Sequence, residues 1–358
     1  MENKGLLFIP DISGFTRFVN ETDIDHSRLI IQELLEILIN SNQVGLEVSE
    51  IEGDAILFYK YGEAPNMEEL YKQVERMFCE FHQHLIAYDI AKFCQCKACT
   101  SAINLTLKII THYGEFTGYN VKHFNNKLFG KDVIIAHQLM KNDIEQHEYW
   151  LVTKSLFPDN PDGYAEWMKW MSSAKQTDSG EIAFHYTQLG QLKKELPTQP
   201  TSDRGILNKT KMFSLKREYD TDVITLFHAS GDFRFRNRWQ VGVKAVEDVS
   251  HFLPRVGMKR KSIYDNGEVV YYASNYFFSP EKIIFTETNE QKRNAIDFTL
   301  EDIGNNRSRL TLDYYIRKGF MGESFFNLLR RKKVEKDFSQ SLAKLDAFIK
   351  EGVPFEYP

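Results

Sequence analysis

Residues 8–18 read FIPDISGFTRF and residues 49–58 read SEIEGDAILF. The first stretch closes the apolar run of residues 5–10 on Asp11, the pattern of a buried strand with a polar group at its carboxyl end. In the second, Glu52-Gly53 separates two strand-like runs, roughly 44–51 and 54–60, and Gly53 permits the tight turn of a hairpin. Asp54 then starts a strand just as Asp11 ends one, and the two carboxylates lie side by side if those strands are neighbours. Paired carboxylates on strand ends suit a hard divalent cation such as Mg²⁺, which takes a few protein oxygens and leaves its other positions to water and phosphate. After Asp11, the small residues Ser13 and Gly14 let backbone N–H groups turn toward an anion. A lone Asp at a strand end is more often a turn or cap residue.

Outward from these stretches, Ile31, Leu34, Leu35 and Leu38 follow the spacing of an amphipathic helix opened at Asp25, and Leu70, Val74, Met77, Phe78, Phe81 and Leu85 that of a second over 67–88. Residues 103–113 alternate as a strand, 130–140 read as a third helix and 148–153 as another strand. The order predicts an α+β sandwich with an antiparallel hairpin in its centre. The pattern lapses over 191–212, where LKKELPTQPTSDRG has little apolar content. This linker separates a domain of residues 1–190 from one of 213–358. The second reads as a short helix at 221–229, strands at 266–278, 281–289, 293–301 and 307–317, and a covering helix at 323–350.

A chain of 358 residues, with 42% hydrophobic and 27% charged residues, has length for two cores and the composition of a globular protein. Residues 1–200 hold 18 Lys/Arg against 28 Asp/Glu and residues 201–358 hold 27 against 22, a sign change that supports two domains. Neither half is basic enough for a nucleic-acid binder. The basic run at Arg330, Arg331, Lys332, Lys333 and Lys336 reads as the solvated face of a helix. There is no apolar run of transmembrane length, the opening MENKGLLFIPDIS does not read as a signal peptide, and a cytoplasmic location is the expectation.

Four segments carry a family resemblance. FIPDISGFTRF resembles the first metal-binding signature of class III adenylate and guanylate cyclases, and SEIEGDAILF their hairpin signature ending in Gly-Asp. THYGEFTG (residues 111–118) and KLFGKDVIIAHQLM (residues 127–140) resemble the following His-x-Gly strand and the helix start that completes the site. The resemblance covers about residues 5–160 and implies the ferredoxin-like cyclase fold. It also implies Mg²⁺ or Mn²⁺ on Asp11, Asp54 and the Ile12 carbonyl, and phosphates at Ser13, Gly14, Phe15 and Thr16. A purine nucleoside triphosphate would be read by Glu50, a match to guanylate cyclases, with Lys127 at the partner position. The family also places an Asn and, four residues on, an Arg on the helix after Gly130, where this chain has Ile134 and Gln138. A transition-state stabiliser of that kind is worth roughly 10² to 10⁵ in rate. Weak or lost cyclase activity is therefore the expectation, with an active guanylate or adenylate cyclase as the alternative. Lys122, Lys127 and Lys131 are the nearby cations. The family's sites form across dimers, which implies a homodimer or a cyclase-like partner chain.

FCQCKACT (residues 93–100) places Cys94, Cys96 and Cys99 together after the second helix, on which Cys79 and His82 stand three apart. Such a set supplies candidate ligands for a structural Zn²⁺, although the spacing is not that of a standard finger or ribbon. The element order over about 213–350, with ASGDFRFRNRWQVGV at 229–243, resembles the SRPBCC (START-type, polyketide-cyclase-like) helix-grip fold. That resemblance implies a cavity for a lipid or other hydrophobic small molecule, lined by Trp239, Tyr271, Phe277, Phe285, Phe298, Leu310 and Leu312. The same aromatics equally suit a filled core. A third reading of the whole chain is a lipid carrier whose first domain is a dimerisation scaffold.

Overall fold

A computed structural model describes residues 3–22, 24–92, 94–121, 124–159, 161, 165–177, 180–196, 205–250, 256–319, 326 and 328–353. The chain divides into two compact units, Met1–Asp89 with Lys97–Gln199, and Ile90–Cys96 with Pro200–Pro358.

The first unit is built on β1 (Lys4–Ser13), β2 (Glu47–Glu52), β3 (Ala55–Tyr61), β4 (Thr106–Glu115), β7 (Tyr149–Thr153), β8 (Met171–Thr177) and β9 (Gly180–Gln188). These form one sheet in the order β2-β3-β1-β4-β7-β9-β8, with β5 (Thr117–Val121) and β6 (Phe124–Phe129) as a separate ribbon. The β2–β3 hairpin lies at the sheet edge, not in its centre; β1, apolar along nearly its whole length, takes an inner place between β3 and β4. The β8–β9 hairpin had no sequence expectation. Its outer strand β8 is largely exposed and shows no apolar face to read. The helices are α1 (Phe15–Glu21), α2 (Ile24–Asn40), α3 (Met67–Ala91), α4 (Lys97–Ser101), α5 (Lys131–Met140) and α6 (Gly190–Lys194). The apolar stripes of α2 and α3 are buried through Ile30, Leu34, Leu38, Val74, Phe78 and Phe81. The α5 stripe packs through Val133, Ala136 and Leu139 with Ile9, Leu57 and Ile110.

The second unit is a seven-stranded sheet in the order β10-β16-β15-β14-β13-β12-β11, antiparallel throughout. Its strands are β10 (Lys209–Tyr219), β11 (Ala245–Ser250), β12 (Lys259–Tyr264), β13 (Gly267–Ser279), β14 (Lys282–Asn289), β15 (Asn294–Gly304) and β16 (Arg307–Arg317). β10 starts inside the stretch read as linker, because Lys209 and Lys211 on its outer face, paired with Asp297 and Asp313, mask the alternation. Residues 197–204 of that stretch lie outside the described residues. α7 (Val223–Gly231) is capped by the Asp222 carboxylate, which accepts from the N–H groups of Ile224 and Thr225. With α8 (Arg236–Trp239) and α9 (Arg331–Glu351), it covers the apolar face of the sheet. The start of the helix expected at 323–350 falls partly outside the described residues.

No helix among the described residues is long and apolar enough to cross a membrane.

Candidate metal and nucleotide site

β1 pairs with β3 so that Asp11 stands opposite Ala55, and the Ile12 N–H donates to the Asp54 carbonyl at 3.1 Å. The ends of two neighbouring strands thus bring Asp11 and Asp54 together. Burial, and then the negative charge of Asp11, push Asp54 up to about 6. Burial also raises Asp11, against the opposing pull of Lys108. Two desolvated carboxylates that disfavour each other's charge are a donor set short of positive charge, and a hard divalent cation fits it.

Lys108 answers part of that deficit and was not singled out in the sequence. It lies directly across from Asp11 in the β1–β4 register, its Nζ 3.2 Å from Asp11 Oδ2 and 3.0 Å from the Met140 carbonyl at the end of α5. The available signal was a lysine between the buried residues Leu107 and Ile109 of a strand, a place where an ammonium group needs a partner.

Beyond Asp11 the chain turns at Gly14, whose φ of 92° is the left-handed region that favours glycine, and α1 begins at Phe15. The Ser13 hydroxyl is buried with no hydrogen-bond partner among the described residues. Ser13 and Gly14 border a cleft of about 910 Å³ whose walls include His147, Trp167, Lys169 and Lys194. An anion in this cleft would find two lysines among its walls and an unused hydroxyl at its Ser13 border.

Glu50 pairs with Lys127 through a short contact, and His137 Nε2 approaches its other oxygen at 3.7 Å. The two residues aligned with base reading are therefore in contact with each other. Ile134 on α5 is 54% exposed, and the Gln138 Oε1 is buried without a partner. Lys131 is exposed at the start of α5, and Lys122 lies outside the described residues.

His112 and Gly114 serve structure. His112 binds Thr153 Oγ1 through Nδ1 at 2.8 Å and Asp132 Oδ1 through Nε2 at 2.9 Å, while the Glu115 N–H donates to Asp132 Oδ2. A Cβ on Gly114 would stand 2.2 Å from the Asp132 side chain, so the clasp requires glycine. The His-x-Gly spacing thereby ties β4 to the start of α5.

The helix residues proposed for zinc do not join the cysteines. His82 packs on Phe78 and Phe81, its pKa driven down to about 3 by burial, and burial raises Cys79 to about 11. The imidazole comes from α2 instead. Cys99 Sγ is 3.3 Å from His26 Nδ1, and both residues are buried. A thiol beside an imidazole is a pair of donors that suits a metal such as zinc.

In the second unit, Trp239, Tyr271, Phe285, Phe298, Leu310 and Leu312 belong to one packed core, with the Phe285 and Phe298 rings stacked at 4.5 Å. Phe277 does not join them. It is 52% exposed, because the register shift between Ala273 and Asn275 changes which residues of β13 face inward.

A family model described as a protein of unknown function (DUF2652) matches residues 31–149. The Mycobacterium tuberculosis (strain ATCC 25618 / H37Rv) protein named Uncharacterized protein Rv2561/Rv2562 is 29% identical over 130 residues, 34% of this chain and 56% of the relative. The chain thus spans about half the length of the curated relative it matches. Among solved structures, the catalytic core of a rhodopsin-guanylyl cyclase with converted specificity, in complex with ATPαS, aligns with a TM-score of 0.39 at 13% identity, covering 52% of this chain and 96% of that one. The guanylate cyclase domain of RhGC from Catenaria anguillulae, in complex with GTP, aligns at 0.38 and 14%, covering 52% and 97%. A bacterial light-regulated adenylyl cyclase aligns at 0.36 and 15%, covering 51% of each chain.

Proposed function

We propose that the first unit is a class III cyclase-like domain that binds a divalent metal and a purine nucleoside triphosphate, with weak or lost cyclase activity. The observation that carries this reading is the desolvated Asp11–Asp54 pair beside the Ser13–Gly14 turn. Asp11, Asp54 and the Ile12 carbonyl would hold Mg²⁺ or Mn²⁺, which when bound neutralises phosphate charge. Residues 13–16 receive the phosphates. Glu50 accepts from the purine edge, with Lys127 holding its carboxylate in place. Ile134 and Gln138 supply neither the ribose-orienting amide nor the cationic stabiliser, which is why turnover is expected to be slow.

Dimerisation belongs to the same proposal. Phe15, Val19, Ile24, Ile31, Leu35 and Ile51 line an apolar groove of about 470 Å³, and Phe129 is 70% exposed. A second copy or a cyclase-like partner would cover such surface. The second unit is proposed as an SRPBCC-like module for a hydrophobic small molecule or lipid, giving the whole chain a cytoplasmic sensor or signalling role. The cysteine run of residues 94–99 is proposed to hold a structural Zn²⁺, with His26 beside Cys99 as an imidazole donor. One equivalent of zinc by plasma mass spectrometry, retained in Cys79→Ser and lost in Cys99→Ser, is the expected result.

The test of the cyclase-like reading is incubation of the purified protein with GTP or ATP and Mg²⁺ or Mn²⁺, beside Asp54→Ala. Metal-dependent binding by calorimetry with little or no cyclic nucleotide is expected. Abundant product that vanishes in the variant would establish the active cyclase instead. Neither binding nor product would reduce the unit to a scaffold for a lipid carrier.

A further inference from the structure

Arg236, Arg260 and Glu287 are completely buried in the second unit. They reach one place from three elements. Arg260 on β12 stands opposite Tyr271 on β13, Glu287 on β14 stands opposite Ala273 of the same strand, and side chains two apart on a strand share a face. Arg260 and Glu287 therefore lie on the same apolar face as Phe285 and Phe298, and α8 brings Arg236 onto it. Each oxygen of Glu287 takes one guanidinium group, Oε1 that of Arg236 in a short contact and Oε2 that of Arg260 at 2.7 Å.

The centre is not neutral. Two guanidinium groups share one carboxylate, and arginine does not shed its proton to escape, even though burial lowers Arg236 to about 10. The neighbouring carboxylate, Asp232, is already engaged by Arg234 through Nε and Nη2 at 2.7–3.1 Å. One positive charge in excess remains inside an apolar layer. Its donors are also unspent: Arg236 Nε and Nη1, Arg260 Nε and the Trp239 indole N–H are buried with no hydrogen-bond partner among the described residues. Aromatic faces flank both cations, with Arg236 over Trp239 at 4.6 Å and Phe298 at 5.1 Å, and Arg260 over Tyr271 at 5.1 Å and Phe233 at 5.2 Å. Ring quadrupoles ease a buried cation but accept no conventional N–H···O bond and bring no counter-charge. A buried charge of this kind is ordinarily paired and its donors ordinarily used.

We propose that Arg236 and Arg260 form a binding site for the acid group of a ligand, a carboxylate or a phosphate, which supplies the missing negative charge and accepts from the unspent N–H groups. Nothing in this proposal depends on the first unit's chemistry. It narrows the ligand class of the second unit from hydrophobic molecules in general to acids.

The test uses the full chain. Its melting temperature is followed in sodium decanoate and in inorganic phosphate, each against sodium chloride of equal ionic strength, and acid and organic extracts of the denatured protein are examined by mass spectrometry. Either a rise in melting temperature with one of the probes or an acid recovered in stoichiometric amount is expected. Decanoate or an extracted carboxylic acid points to an organic acid, and phosphate alone to a phosphoryl group or free phosphate. Arg260→Met leaves Arg236 and Glu287 as a one-to-one pair, so it is expected to lose the shift, or the co-purified acid, by tenfold or more in affinity or occupancy. Glu287→Gln doubles the excess charge at a cost in stability, and where circular dichroism shows it folded it is expected to bind the responding probe more tightly. Arg260→Gln replaces Arg260→Met where circular dichroism shows the latter unfolded. No shift with either probe and no recovered acid would overturn the proposal, as would an undiminished shift in the folded Arg260 variants.

Discussion

The two units each carry an unbalanced charged cluster, of opposite sign and opposite setting. In the first, Asp11 and Asp54 outnumber Lys108 beside a turn that opens on a cleft, so the deficit is of positive charge near water. In the second, Arg236 and Arg260 outnumber Glu287 where none of the three has measurable exposure, so the deficit is of negative charge in an apolar interior. The lesson lies in how each cluster accommodates its imbalance. A carboxylate can take up a proton, as the rise of Asp54 to about 6 shows, whereas a guanidinium group cannot give one up at any ordinary pH. The first cluster can give up part of its charge as the pH falls through about 6, and the second has no such recourse.

The largest effect is therefore expected from Glu287→Ala, which leaves two buried guanidinium groups with no carboxylate. Removing one partner of a buried pair costs about 3–5 kcal/mol. The second unit's transition in urea should move to lower concentration by that amount or be lost. A variant that unfolds like the parent would mean that the centre is far better solvated than its burial implies, and the contrast between the units would fail.

Next in size is Asp54→Ala. Loss of one of two carboxylate ligands should weaken Mn²⁺-dependent nucleotide binding by at least about tenfold, since even residues behind the ligands contribute ten- to a hundredfold. Calorimetry with and without metal measures it. An unchanged metal requirement would move the site away from the strand ends.

The two clusters also differ in legibility. Asp11 and Asp54 could be read because each sits in a short contiguous segment, where a strand end and a hairpin turn fix its place. The Arg236–Glu287–Arg260 centre could not, since its members are 24 and 27 positions apart in sequence and only the β12–β13–β14 register puts them on one face. The same holds for His26, which reaches Cys99 from α2 across 73 positions of sequence. Spacing picked Cys79 and His82, three apart, but the buried His82 ring packs on its own helix neighbours Phe78 and Phe81. The β2–β3 hairpin was legible as a hairpin and misplaced in the sheet, because strand order depends on long-range pairing that local periodicity does not encode.

A smaller effect, on pH dependence, separates charge that is tolerated from charge that is merely excluded. Burial holds His82 neutral down to about 3, whereas the unfolded chain protonates it near its ordinary value of 6.5. The unfolded state then binds the extra proton between those values. His82's contribution is complete above pH 6.5 and is lost progressively as the pH falls toward 3, with a slope of up to about 1.4 kcal/mol per unit. His82→Phe, which keeps an aromatic ring beside Phe78 and Phe81, should flatten that part of the stability profile in urea titrations between pH 4 and 7. A profile of unchanged slope would mean that other groups govern the acid limb.

The smallest expected effect sharpens the comparison most, because it tests whether Lys108 is a partner of the ligand or a substitute for it. An ammonium group 3.2 Å from Asp11 offers one positive charge where a divalent ion would offer two, and both cannot draw fully on the same oxygen. If Lys108 competes, Lys108→Met should raise Mg²⁺ or Mn²⁺ affinity, by about 1–2 kcal/mol at the effective dielectric of a partly buried site. The variant also leaves the Met140 carbonyl without its donor, at a cost of about 1 kcal/mol in stability, which a denaturation curve separates from binding. If metal affinity instead stays level while triphosphate affinity falls, Lys108 acts on the phosphates. The first unit would then carry its own fixed counter-charge, as Glu287 does in the second, and the two clusters would share one design with the signs reversed.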